Sequence, residues 1–187
     1  MSSGYVKLVD DEVTLSGALK VIEIPEGTVT VLEEGRSYIL VHEMGGDFTI
    51  RNAYGAMYRV SGNDAEVIGK QVPADAQLPI AEGEMITEEH VWIQIRKCYD
   101  PEIPVNIVEL GLIYDMSMTL GETGAFIKVT MTLTAPGCGM GQVLQDDVKR
   151  KVEQLPGVSE VDVELTFDPP WSPERMSEVA RLETGML

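Results

Sequence analysis

The chain of 187 residues is 44% hydrophobic and carries a formal net charge of −17, with acidic residues in excess in both halves. This charge argues against phosphate backbones and anionic membranes as partners, because those partners need clustered Lys and Arg side chains. No apolar run approaches the ~20 residues that span a bilayer, no secretory signal pattern opens the sequence, and two cysteines make no disulfide framework. We therefore expect a cytoplasmic protein that binds neither nucleic acid nor membrane.

Residues 1–84 have the pattern of a small all-β domain. VTVLEEGRSYILV predicts two strands joined by a hairpin turn at Glu33-Glu34-Gly35, and FTIRN and MYRVSG predict further strands. Short strands at this spacing favour a barrel or a sandwich, whose role the sequence does not indicate. His42 is a lone histidine, for which a structural role is more typical than metal ligation. Residues 71–86, with two prolines and little periodicity, predict a linker.

Residues 85–187 predict a second domain of the α+β class, which begins with a helix. Thr87 can cap this helix, Cys98 lies on its apolar face, and the helix should end near Asp100 because a proline follows. Pro104 can then open a short helical turn, which Gly111 can close.

The remaining elements predict a small mixed sheet with helices. The strands IYDMSMTL and AFIKVTMTL are joined at residues 121–124 by a hairpin signal. The amphipathic helix GQVLQDDVKRKVEQL and the alternating strand VSEVDVELTF then complete a β-α-β unit. Ser172 is expected to cap a final short helix, with Pro173 at its first position.

Cys138, in the stretch TAPGCGMGQ, is the main candidate for chemistry. It lies where a strand ends and a helix begins, and the positive end of a helix favours a thiolate. Glycines at three nearby positions leave room for another molecule, although a small buried residue in a tight turn remains the alternative. Cys98 is expected to be structural, because it shares an apolar helical face.

Asp100, Glu102 and Thr134 are the candidate partners of Cys138. The two carboxylates are separated by a proline, and a carboxylate here could orient a thiol, bind a metal or cap the short helix that follows. Thr134 could hydrogen-bond the loop or serve ordinary turn chemistry. One thiolate cannot hold an iron–sulfur cluster, which usually takes four protein ligands. Further ligands would have to come from a client protein, a small thiol, a carboxylate or a second copy of the chain.

Three motifs occur in the order of a known family: DPEIPVNIVELGLIYD, VTMTLTAPGCGMG and DPPW. Over about residues 87–182 the chain resembles the SufT/PaaD-type family of iron–sulfur cluster assembly factors. The resemblance implies an iron–sulfur cluster assembly domain over residues 85–187 and a site at Asp100, Glu102, Thr134 and Cys138. Many relatives have proline directly after the motif cysteine, whereas this chain has Gly139.

The main hypothesis is therefore an auxiliary factor in the assembly of iron–sulfur clusters and the maturation of iron–sulfur proteins. Cys138 would be a transient ligand of iron or of a cluster, with no permanent cofactor. The expected partners are client apoproteins and other assembly proteins, and a homodimer would double Cys138. The alternative is an adaptor that binds no metal and docks these proteins, with Trp171 as an anchor or, equally, as a lid over the core. An enzyme with Cys138 as nucleophile is disfavoured, because the sequence shows neither a base nor a second cysteine in a C-x-x-C motif.

Overall fold

The computed structural model describes residues 7–100, 103, 105–135 and 141–185. The chain divides into two compact units, Met1–Gln77 and Leu78–Leu187, each with its own hydrophobic core. This division lies within the predicted linker, and we retain residues 1–84 and 85–187 as the proposed domains. No helix in the described part of the chain is long and apolar enough to cross a membrane.

The first unit is built on one antiparallel sheet, as expected for an all-β domain. The strand order is β1-β4-β5-β6-β2-β3. Leu40, Phe48, Ile50 and Val60 form the centre of the core, and none of them is more than 1% exposed. The strands are β1 (Lys7–Thr14), β2 (Leu19–Ile24), β3 (Val29–Leu32), β4 (Ser37–Met44), β5 (Asp47–Arg51) and β6 (Met57–Val60), followed by 3-10 helices at Gly62–Ile68 and Ala74–Ala76.

The hairpin predicted at Glu33-Glu34-Gly35 is wrong, although both of its strands exist. β3 pairs with β2, whereas β4 pairs with β1 and β5. The connecting segment bonds to Leu15 instead: Gly35 N donates to the Leu15 carbonyl at 2.9 Å, and Leu15 N donates to Arg36 O at 3.0 Å. The glycine turn therefore carries the chain from an edge strand to a new place in the sheet.

The second unit is an α+β domain on a three-stranded mixed sheet, which confirms the predicted fold class. The sheet has the order β7-β8-β9, with β7 antiparallel and β9 parallel to β8. Helix α2 connects β8 to β9 and packs against β9, which gives the predicted β-α-β unit. The elements are α1 (Glu88–Ile95), β7 (Ile113–Gly121), β8 (Gly124–Met131), α2 (Gly141–Glu153), β9 (Val158–Leu165) and α3 (Glu178–Thr184).

Two helix ends differ from the prediction. α1 ends at Ile95 rather than near Asp100, because the N–H groups of Lys97 and Cys98 bond three residues back and tighten the last turn. The final helix starts at Glu178 with Ser177 as its cap, whereas the predicted start at Ser172 gives only a 3-10 turn over Pro173–Arg175.

Candidate functional site

The loop with Cys138 connects β8 to α2, and the structure describes both of its ends but not residues 136–140. Thr134, at the first end, is half-buried. At the second end, a Cβ atom added to Gly141 would lie only 2.6 Å from Cδ1 of Leu133. The described residues on the two sides of this segment therefore lie close together. Cys138 lies outside the described residues, so its role as a ligand stays a prediction.

The start of α2 is favourable for a negative charge. The first turn carries no acidic side chain, and Arg150 and Lys151 lie in the last turn. No carboxylate from the first turn therefore competes for the positive end of the helix dipole. A thiolate or an anionic cluster in front of Gly141 would be stabilised by about 0.3–1 kcal/mol if exposed.

The direction of α2 is fixed by its contact with α1. Lys151 is only 5% exposed, and its ammonium group donates to the carbonyl oxygen of Lys97 at 2.9 Å. Gln94 donates from Nε2 to the carbonyl oxygen of Lys151, also at 2.9 Å. These two bonds tie the C-terminal ends of both helices together, so the N-terminus of α2 is held beside the loop.

Asp100 lies in a tight turn after α1, and its side chain stabilises that turn. Oδ1 accepts a hydrogen bond from the N–H of Ile103 at 3.2 Å, and Tyr99 and Asn106 form an antiparallel bridge around it. The Asp100 side chain therefore stabilises the segment that precedes the short helical turn. Its role as a ligand stays a prediction, as does that of Glu102, which lies outside the described residues.

The predicted helical turn exists, and Asn106 opens it. Oδ1 of Asn106 accepts hydrogen bonds from the N–H groups two and three residues later, at 3.1 and 3.0 Å, as an N-cap does. Gly111 closes the turn at φ 68°, as predicted. The N–H of Leu112 bonds to Ile107 O at 2.9 Å, and both side chains are fully buried, which completes a Schellman motif. Pro104, the predicted opening residue, lies outside the described residues.

Backbone hydrogen bonds fasten this turn to both candidate segments. Ile107 N donates to Cys98 O at 3.0 Å, and Thr132 N donates to Leu112 O at 2.8 Å. Cys98 and Thr132 each precede a predicted site residue by two positions. The structure therefore holds the segments of Asp100 and Thr134 against the same short turn.

Thr132 is a residue that the sequence analysis did not single out. It is fully buried, and its Oγ1 has no hydrogen-bond partner in the part of the chain that the structure describes. A hydroxyl in this state costs roughly 1–3 kcal/mol. The signal in the sequence is a threonine between two buried apolar residues, Met131 and Leu133, directly before the loop.

The segment of residues 168–177, which begins with the motif DPPW, forms a strap over the helical turn. Trp171 donates from Nε1 to Leu110 O at 2.8 Å, and Tyr114 donates from its hydroxyl to Pro169 O at 2.7 Å. The guanidinium of Arg175 lies 4.3 Å from the centre of the Tyr114 ring, a cation–π distance. Because Trp171 is half-buried against the core, the structure favours the lid role over the docking anchor.

The other candidate ligands have structural surroundings. Cys98 is fully buried within the apolar core, which confirms its structural role. Burial lowers the pKa of His42 from its ordinary value and so favours the neutral imidazole. Within residues 7–100, 103, 105–135 and 141–185, no three His, Cys, Asp or Glu side chains are grouped as a metal site.

Comparison with known proteins places this chain in a family. Residues 88–164, which include all four predicted site residues, match the model of the iron-sulfur cluster assembly protein family. The "Fe-S protein maturation auxiliary factor" of Porphyromonas gingivalis is 50% identical over 101 residues, which cover 54% of this chain and 93% of that protein.

Two further proteins are similar over about half of the chain. The Staphylococcus aureus protein named "Fe-S protein maturation auxiliary factor SufT" is 34% identical over 87 residues, 46% of this chain and 96% of that one. The solved structure of a "Domain of Unknown Function" from Bacillus anthracis is 38% identical, with a TM-score of 0.47, and the match covers 54% of this chain and 92% of that one. The matches to the family model and to the named maturation factors show that the chain belongs to the SufT-type family of iron–sulfur cluster assembly proteins.

Proposed function

We propose that this protein is an auxiliary factor in the maturation of iron–sulfur proteins, the function that the names of its relatives state for them. The observation that carries the proposal is the family match over residues 88–164, which spans Asp100, Glu102, Thr134 and Cys138. The identity of 50% to a named maturation factor supports it.

In this proposal Cys138 is a transient ligand of the cargo, which is iron or an iron–sulfur cluster. Thiolate is the soft ligand that iron–sulfur clusters prefer, and the start of α2 offers N–H groups without a competing carboxylate in its first turn. Asp100 and Glu102 would tune or complete the site, and Thr134 would order the loop. A site with so few protein ligands favours transfer over storage, so no permanent cofactor is part of the proposal.

The proposed partners are client apoproteins and other cluster assembly proteins. The names of the relatives describe helpers rather than catalysts, and we propose the same for this chain. The cytoplasmic location follows from the sequence features alone and stays a prediction.

A maturation assay tests this function. An iron–sulfur apoprotein is incubated anaerobically with iron, sulfide and this chain, and the rate at which its cluster absorbance appears is measured. We expect the wild type and Cys98→Ala to accelerate maturation and Cys138→Ser to lose the effect. Cys98→Ala is the matched control, because it removes the thiol that is fully buried in the core.

Two other results would contradict the proposal. A wild type that gives no acceleration with any client tested would refute the maturation function. Acceleration that survives Cys138→Ser would refute the role of the thiolate and point to the adaptor that binds no metal.

A further inference from the structure

Strand β7 has an outer edge that faces no neighbouring strand among the described residues. β7 lies at one side of the sheet β7-β8-β9, and no described strand bonds to its outer edge. The strand has a register shift between Ile113 and Asp115, so its regular part runs over residues 115–121. Alternate residues of this segment therefore direct their backbone N–H and C=O groups outward, which makes the edge a template for pairing with another chain.

The apolar face of β7 is also incompletely covered. Met116, Met118 and Leu120 pair with the fully buried face of β8, as the partnership of Met118 with Ile127 shows. The two methionines are only half-buried, and Leu120 is 65% exposed. Helix α2 packs against β9, at the opposite side of the sheet, and so leaves this apolar row open at its end.

The sequence of the regular segment is complementary to itself. When two copies pair antiparallel over residues 115–121, the middle residue, Met118, lies on the two-fold axis. Met116 then faces Leu120 of the other copy, which continues the apolar row on one side of the sheet. On the other side Ser117 faces Thr119, and Asp115 faces Gly121, so no like charges lie opposite each other.

The second edge of the sheet, β9, has the opposite character. Its exposed side carries Glu160, Asp162 and Glu164 at alternating positions. Antiparallel pairing of two copies about Asp162 would place carboxylate against carboxylate, which is destabilising. Charged residues of this kind are how proteins protect an edge strand, and β7 has them only at Asp115.

We propose that β7 is a self-association surface, on which a second copy of this chain pairs its own β7 antiparallel about Met118. The two three-stranded sheets join into one sheet of six strands, and the apolar rows of both copies meet. The area is small, so we expect a reversible dimer with a dissociation constant on the order of micromolar or weaker. Because both copies are strongly acidic, salt should strengthen the dimer.

This dimer places the ends of the two β8 strands far apart. The end of β8 pairs with Ile113, so the loop with Cys138 leaves the sheet at that end of β7. Ile113 lies five residues from the axis, and a rise of ~3.4 Å per residue separates the two ends by roughly 34 Å along the strands. The chain that follows β8 therefore leaves the joined sheet at opposite ends in the two copies.

Sedimentation velocity from low micromolar to millimolar protein tests the proposal with a pair of surface variants. The double variant Ser117→Lys with Thr119→Lys places lysines opposite lysines across the axis, at two exposed positions. Its matched control, Ser117→Lys with Thr119→Glu, places lysine opposite glutamate. We expect a concentration-dependent dimer in the wild type, a dissociation constant at least ten-fold higher for the double-lysine variant, and an equal or tighter dimer for the control.

The outcomes separate the proposal from general charge effects. The double-lysine variant lowers the negative charge of each copy. If association were opposed only by the general repulsion between two acidic copies, this variant would therefore dimerise more strongly than the wild type. A monomeric wild type at millimolar concentration refutes the proposal. Equal dimerisation of both variants places the interface elsewhere, and species larger than a dimer indicate open-ended pairing of unlike edges. Each of these three results overturns the pairing of β7 with itself, and none of them depends on iron or on client proteins.

Discussion

Replacement of Gly111 by alanine should strongly destabilise the second unit. Gly111 has φ 68°, in the left-handed region, where an alanine pays roughly 1–2 kcal/mol. A Cβ atom there would also lie 2.2 Å from the carbonyl oxygen of Arg175. The obstacle is backbone, so relief requires the strap that follows β9 to move away from the helical turn.

The magnitude follows from what that movement breaks. The strap is held on this turn by the bond from Trp171 Nε1 to Leu110 O and by the bond from Ser177 N to Glu109 O, at 2.8 and 2.9 Å. Each is worth about 1 kcal/mol net. Together with the backbone strain, the free energy of unfolding should fall by about 3–4 kcal/mol. That is a large share of the ~5–15 kcal/mol of a typical domain.

Urea unfolding followed by tryptophan fluorescence measures this loss. Both tryptophans, Trp92 and Trp171, lie in the second unit and therefore report on it alone. Gly157→Ala is the matched control, because Gly157 has φ 87° but a Cβ atom there would make only an ordinary contact at 3.6 Å, with Ile86. We expect the free energy of unfolding of this control to fall only by the backbone strain, roughly 1–2 kcal/mol. Equal losses in both variants would refute the close approach of the strap.

Three further predictions concern single side chains. Asn106→Ala should lower the free energy of unfolding of the second unit by about 0.5–2 kcal/mol in urea titrations, and Asn106→Asp should restore most of it, because the carboxylate also caps a helix. Trp171→Phe should cost about 1 kcal/mol in thermal unfolding and leave the Leu110 carbonyl accessible to water; an unchanged midpoint would contradict the strap. Because burial lowers the pKa of folded His42, the unfolded state binds the proton more tightly. The stability of the first unit should be full above pH 6.5 and decrease as the pH falls towards the folded pKa, and His42→Leu should remove this part of the decrease in tyrosine-monitored unfolding.

The local elements of the second unit could be predicted from the sequence because local signals determine them. The hairpin of β7 and β8 forms with Gly121 opposite Gly124, and α2 and β9 follow the apolar periodicity. Gly111 closes its turn because glycine, which has no Cβ atom, adopts the positive φ of 68° without strain. The predicted cap of the final helix, Ser172, lies too early in the chain, because Ser177 is the residue whose side chain accepts from the helix, at 3.1 Å from Ala180 N.

The first unit shows where such local signals fail. Gly35 does mark a turn, but a turn does not state which strands will pair. β3 and β4 flank it and bond to different partners, because pairing in this sheet depends on contacts that are distant in sequence.

The candidate site was predictable as a set of residue types but not as a geometry. The sequence allowed Asp100 to cap the short helix that follows or to bind a ligand; its side chain bonds to Ile103 N, and Asn106 caps the helical turn. Thr132 and Asn106 acquire their importance from burial and from partners that the sequence alone does not reveal. The contact of Gly141 with Leu133, which brings both ends of the loop together, likewise exists only in the folded chain.

Anaerobic reconstitution with iron and sulfide tests most directly whether Cys138 holds the cargo. Wild type, Cys138→Ser and Cys98→Ala are compared by absorbance in the visible region and by mass under native conditions. We predict iron or a cluster bound to wild type and to Cys98→Ala, and none bound to Cys138→Ser. Wild type that binds neither iron nor cluster, or Cys138→Ser that binds as the wild type does, would contradict the central claim.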